Sequence, residues 1–226
     1  MSGTFGFYQS TIGKKIVVGV TGALLVGFVC VHMIGNLQAW EGPGDLHEKA
    51  KLTQYGELLR KEMAILWAAR LTLIAAVVLH VVTTLRLAAL NRAARPQRYA
   101  AQRTMKTTLA ARTMVLGGLS LFAYVVYHIL HLTAGRAHSD LFRHGDVFGN
   151  VARSFSHPVI TAIYCLAMVP LFFHLRHGIL SACRTLGVSH PEHLARVEQI
   201  GTLLALVVAL GFASVPLGVL FGMIHL

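Results

Sequence analysis

Long apolar runs alternate with short polar connections along this chain. Five runs, about 16–39, 63–90, 109–134, 158–183 and 200–224, each reach the roughly 20 residues that a helix needs to cross a hydrocarbon core of about 30 Å. Backbone polar groups in lipid must be paired within their own segment, so runs of this length can only be helices. The pattern predicts an all-α fold, an integral membrane bundle of five transmembrane helices, with residues 1–226 forming a single membrane domain. Residues 1–14, with Phe5, Phe7, Tyr8, Gln9 and Ser10, read as a short interfacial stretch. The 40–61 connection opens on Gly42-Pro43-Gly44 and continues with mixed charge, which predicts a turn and a short surface helix. The 135–157 connection, with Gly135, Asp140, Gly145, Asp146, Gly149 and Asn150, reads as an outer loop that ends where His157-Pro158 starts the fourth helix. The first run is too long and too weakly marked at its far end for a cleavable leader, so it is expected as a mature helix.

Composition agrees: 55% of the 226 residues are hydrophobic, too many for an ordinary soluble domain of this length. The net charge of +11 adds an orientation. Arg86, Arg92, Arg95, Arg98, Arg103, Lys106 and Arg112 follow one another between the second and third runs with no acidic residue among them, and Lys14 and Lys15 precede the first. The connection between the first and second runs instead balances Lys49, Lys51, Arg60 and Lys61 against Glu41, Asp45, Glu48, Glu57 and Glu62. The positive-inside rule then predicts a cytoplasmic N-terminus and an external C-terminus. Orientation accounts for the basic loop without nucleic acid, which is not an expected partner; docking of a protein partner is a second use open to it. Cys30, Cys165 and Cys183 lie in apolar runs without C-x-x-C spacing, which argues against a thiolate metal site or an iron–sulfur cluster within the chain.

Histidine carries the candidate chemistry. Of thirteen, His32, His80, His128 and His174 fall one to each of the first four runs. Ionisable residues inside a membrane are costly and face interior functional sites, and neutral imidazole is a haem ligand. At 1.5 Å per residue, His32 lies about 25 Å beyond Lys15 and His128 about 24 Å beyond Arg112, toward the outer face. Helices two and four run inward, so His80 lies about 9 Å before Arg86 and His174 about 15 Å before Arg184, toward the cytoplasmic face. The depths predict two stacked haems b, an outer one on His32 and His128 and an inner one on His80 and His174. Gly22 precedes His32 by ten residues and Gly118 precedes His128 by ten, so helices one and two echo helices three and four. Small residues follow three of the four histidines, Gly35, Thr84 and Gly178, which would leave room for a porphyrin; Leu132 breaks the pattern.

His131 and His177 stand three residues after His128 and His174, and either could displace its neighbour as ligand or hydrogen-bond a propionate or quinone. Arg70 and Arg176 could pair with propionates or extend to the headgroups. No catalytic residue can be assigned. Quinone-site candidates are His131 and Arg70 at the outer level, and Arg176, His177, Ser10 or Lys14 at the inner.

These features together resemble the single-polypeptide, five-helix, two-haem cytochrome b subunits of succinate:menaquinone oxidoreductases and quinol:fumarate reductases. The matching stretches are Thr21-Gly22 with His32 ten beyond the glycine, Val-Val-Leu-His80, Gly118 with His128 in Val-Tyr-His-Ile-Leu-His-Leu-Thr, and His174-Leu-Arg-His-Gly178 leading to Leu186-Gly187. They cover nearly the whole chain. The resemblance implies that the fourth ligand is the histidine four before the glycine, His174; tryptophan often stands where Leu186 does, a departure that touches no ligand. It further implies a membrane anchor for a flavoprotein subunit and an iron–sulfur subunit, delivering electrons to menaquinone as the quinone-reactive part of succinate dehydrogenase in the bacterial cytoplasmic (inner) membrane. The chain is not expected to be active alone, and higher oligomers of the complex are left open. Two rivals share the histidines: a haem b anchor of another quinone-linked oxidoreductase, and a transporter whose histidines bind metal or relay protons. The transporter requires broken helices, for which Pro170 and Pro216 are the thin sequence evidence.

Overall fold

The computed structural model describes residues 3–42, 49–94 and 109–226. Among these the chain is helical, without strands. α1 (Gly3–Gln9) leads into α2 (Thr11–Leu37), which ends in a short 3-10 turn, Gln38–Glu41. α3 (Lys51–Lys61) precedes α4 (Met63–Ala93), and α5 (Leu109–His128) continues as a π-helical segment, Ile129–Thr133. α6 (Val147–Phe155), α7 (Pro158–Thr185) and α8 (Pro191–Leu220) complete the chain. Among the described residues five helices are long and apolar enough to span a membrane, as the hydropathy pattern predicts for a multi-pass membrane protein. Their outward residues, such as Ile65, Leu71, Leu116, Val159, Leu166 and Leu203, are exposed apolar side chains, the reverse of a soluble protein.

Three boundaries differ from expectation. α2 starts at Thr11 because Ser10 caps it, its hydroxyl oxygen accepting from the Gly13 amide at 2.9 Å. Lys14 and Lys15 are therefore helical residues rather than a preceding flank. Buried Lys14 donates from Nζ to the carbonyls of Tyr8 (3.0 Å) and Gln9 (2.6 Å), the negative end of α1. α8 starts at Pro191, ahead of the apolar run, with proline in its first turn where no amide is needed. The far connection is not all loop: Asp146 caps α6 by accepting from the Gly149 amide, and Arg153 holds the turn by donating to Asp146, Asn150 and the Leu141 carbonyl. α3 confirms the surface helix, while Pro43 and Gly44 of the turn, Asp45, Glu48, and the basic residues Arg95, Arg98, Arg103 and Lys106 lie outside the described residues.

Packing places α2 at the centre, against α4, α7 and α8; α7 packs on α5 and α8. α4 and α5 scarcely meet, so α4, α2, α7 and α5 form four sides of a bundle and α8 closes the seam between α2 and α7. Ala205 and Val208 of α8 are fully buried there. At the N-terminal end the Tyr8 hydroxyl meets fully buried Thr83 of α4 at 3.2 Å and accepts from Arg86 at 3.4 Å. The bond to Thr83 holds the Tyr8 phenol below its ordinary range, with Arg86 and Lys14 adding to it. At the far end, α3 and α6 pack on each other through the Phe148 amide and Thr53 hydroxyl, 3.1 Å apart, and cover a core of Phe148, Val151, Phe155, Ile160 and Tyr164.

The α1–α2 corner needs glycine: a Cβ at Gly13 would collide with the Phe7 carbonyl oxygen, whereas one at Gly19 meets nothing. Gly13→Ala should undock α1, with overpacking of about 1–3 kcal/mol read as a rise of about tenfold or more in amide exchange across Gly3–Gln9. Gly19→Ala should leave exchange there unchanged.

Candidate functional site

The four intramembrane histidines meet as two pairs. His32 of α2 faces His128 of α5 with ring centres 5.8 Å apart, and His80 of α4 faces His174 of α7 at 6.2 Å. These are the pairs the sequence depths predict. Each joins helices at opposite corners of the four-helix arrangement, so imidazoles meet where backbones do not. The first lies toward the far end and the second toward the N-terminal end.

The near pair is built by two glycines in equivalent places. A Cβ at Gly22 of α2 would lie 3.3 Å from Cε1 of His80, and a Cβ at Gly118 of α5 would lie 3.3 Å from Cε1 of His174. This gives the ten-residue spacing a physical meaning. Ten residues are about 15 Å along a helix, so the glycine before each far histidine sits at the depth of the near pair and makes room for its rings. Next to Gly22 in the sequence, the Thr21 hydroxyl donates to the Val17 carbonyl at 2.7 Å and lies 3.1 Å from His80 Nδ1. With its hydrogen committed to the backbone, Thr21 accepts from His80 Nδ1–H, which leaves Nε2 unprotonated. His174 Nδ1 is buried without a hydrogen-bond partner.

Aromatic rings surround the far pair. Phe28 stacks on His32 at 5.3 Å, Phe212 of α8 leans on it at 5.7 Å, and Tyr124 and Tyr164 flank His128. His131 is set apart. Nearly inaccessible at 1% exposure, it makes hydrogen-bond contacts from both ring nitrogens, Nδ1 to the Tyr164 hydroxyl at 2.9 Å and Nε2 to Ser154 of α6 at 3.0 Å. The π segment that begins just after His128 carries it there; such wide turns re-aim side chains at functional sites. Neither the π turn nor Tyr164, Ser154, Phe28 or Phe212 is signalled by the hydropathy pattern.

Other candidates fall elsewhere. His174, not His177, faces His80. Arg176 donates to Glu198 and Thr202 of α8, both at 3.1 Å, a part-exposed interhelical ion pair. Arg70 lies over the Trp67 ring at 5.2 Å. Ser10 and Lys14 serve as the α1–α2 caps described above. Of the small residues expected to leave room, Gly35 faces the Tyr55 ring of α3, Thr84 bonds back to the His80 carbonyl, and Gly178 approaches Met114.

The donor set suits a metal held by two ligands. Bonds of about 2 Å from each imidazole to one metal would put the ring centres roughly 6 Å apart, close to both observed separations. Among the described residues no group of three or more His, Cys, Asp or Glu could hold a metal ion. Neutral imidazoles in pairs, glycines opposite two of them and an unpartnered His174 Nδ1 fit a planar group with two axial positions, such as haem.

His131→Ala should destabilise the fold by about 2–4 kcal/mol, since it empties a buried site and strips Tyr164 and Ser154 of a partner. His177→Ala should cost less than about 1 kcal/mol, and thermal unfolding in detergent distinguishes the two. No family model, curated protein or solved structure matches this chain.

Proposed function

We propose that the chain is the membrane anchor and two-haem cytochrome b subunit of a succinate:quinone oxidoreductase, passing electrons between an iron–sulfur subunit and menaquinone. The observation that carries this reading is the meeting of four histidines from four successive spans as two diagonal pairs at two depths. His32 and His128 would hold one haem b, and His80 and His174 the other. Haem iron with two imidazole ligands supplies one-electron exchange at low reorganisation. The chain's own part is to present neutral nitrogens, hold their tautomers and exclude water. Thr21 does so for His80, while Phe28 and Phe212 seal the side of His32.

The flavoprotein and iron–sulfur partners, the succinate reaction and menaquinone rest on the family resemblance, and the cytoplasmic N-terminus and bacterial inner membrane on charge placement and resemblance. The transporter reading calls for helices broken at the site; α7 and α8 run through Pro170 and Pro216 without interruption, which favours the cytochrome.

Haem b per polypeptide, measured on the purified chain by a reduced-minus-oxidised spectrum, should be two with low-spin character; a folded preparation without haem would sink the proposal. His32→Ala or His128→Ala should remove one haem, His80→Ala or His174→Ala the other, and His177→Ala neither. Loss of a different haem by the two members of a pair would refute the pairing. Gly118→Leu, which drives a side chain into His174, should remove the same haem as His174→Ala while keeping the other.

A further inference from the structure

We propose that Tyr164, backed by His131 and Ser154, is a positioning residue that fixes the tautomer of His128 and selectively sets the reduction potential of the far centre. The inference rests on the reading of the pairs as haem ligands. Its basis is a continuous line of polar atoms within a buried aromatic cluster. The Tyr164 hydroxyl lies 3.4 Å from His128 Nδ1 and 2.9 Å from His131 Nδ1, and His131 Nε2 lies 3.0 Å from Ser154 Oγ. Tyr164, His131 and Ser154 are all buried.

The phenol has one hydrogen and two imidazole neighbours. Given to His131, it leaves the phenol oxygen to accept from His128 Nδ1–H, and His128 Nε2 is then unprotonated and available as a ligand. Given to His128 Nδ1, it would force the proton of a neutral His128 onto Nε2 and close the position. Only the first arrangement is compatible with ligation. It also requires His131 to carry its proton on Nε2, where the Ser154 oxygen accepts it. Four residues, His128 of α5, His131 of the π segment, Ser154 of α6 and Tyr164 of α7, therefore agree on one protonation pattern.

Each pair has one ligand anchored through Nδ1 to a side chain, His128 by Tyr164 and His80 by Thr21. The anchors differ in kind. Thr21 ends at the backbone of its own helix, whereas Tyr164 leads on to His131 and Ser154 and couples His128 to α6. A ligand imidazole that donates from its second nitrogen becomes more electron-rich and favours the more highly charged metal. Removing the acceptor should raise the potential of that centre alone.

The test is a potentiometric titration of both haems in the purified chain. Tyr164→Phe keeps the ring and deletes the hydroxyl; it should raise the midpoint of the haem lost in His128→Ala by about 59 mV, a tenfold change in the ferric-over-ferrous preference for one electron, with the other haem unmoved. Thr21→Val should raise the other midpoint instead. The inference is overturned if Tyr164→Phe leaves both midpoints in place or moves them equally. Should Tyr164→Phe fail to hold haem, Ser154→Ala decides: a smaller upward shift confined to the same haem is expected, and an unmoved midpoint refutes the relay. Absence of haem from the unmodified protein would instead be a failure of the cytochrome reading, visible before any variant is made.

Discussion

An imidazole buried among apolar helices needs an occupation for each of its ring nitrogens, because an unpaired polar group away from water costs several kcal/mol. That constraint organises the bundle. His131 resolves it wholly within the protein, through Tyr164 and Ser154, and is accordingly almost inaccessible. His80 resolves half of it through Thr21. Among the described residues the buried nitrogen left over is Nδ1 of His174, one of the four side chains that meet in pairs, and those pairs lie on the diagonals of the helix arrangement, where the backbones stand apart.

The helices follow from that requirement. Two diagonals need four helices, and α2, α4, α5 and α7 supply one histidine each. α8 carries none at the site and contributes bulk instead, with Ala205 and Val208 buried against its neighbours and Phe212 against His32. Two levels also require narrow points on the helices that do not supply the ligands of a level. Gly22 lies beside His80 and Gly118 beside His174, so α2 and α5 give room at the near level and ligands at the far one.

The far end is closed by structure outside the spans. α6 is held by its Asp146 cap and Arg153, packs on α3, and sends Ser154 inward to His131. α6 is thereby tied through Ser154 and His131 to the Tyr164 cluster beside His128, while at the N-terminal end Arg86, Tyr8 and Thr83 form a separate chain of side-chain bonds.

Much of this was legible in the chain alone. Hydropathy marked five spans, because a helix crossing lipid must be apolar over most of its length, and the rise per residue sorted four histidines into two depths; the structure brings His32 to His128 and His80 to His174. The ten-residue glycine spacing was visible too, but its purpose was not: the glycine serves the histidine of another helix, and sequence distance says nothing about what a glycine faces. Gly35 shows the same limit, since the room beside it is filled by Tyr55 from a surface helix. His131 and His177 look alike in the sequence, each three residues after a paired histidine. Only the tertiary structure separated them, because a π turn rotates His131 toward α6 and α7 while α7 continues regularly past His177. Which nitrogens find partners, and so which histidines stay available, depends on neighbours brought from distant parts of the chain, and local periodicity does not encode them.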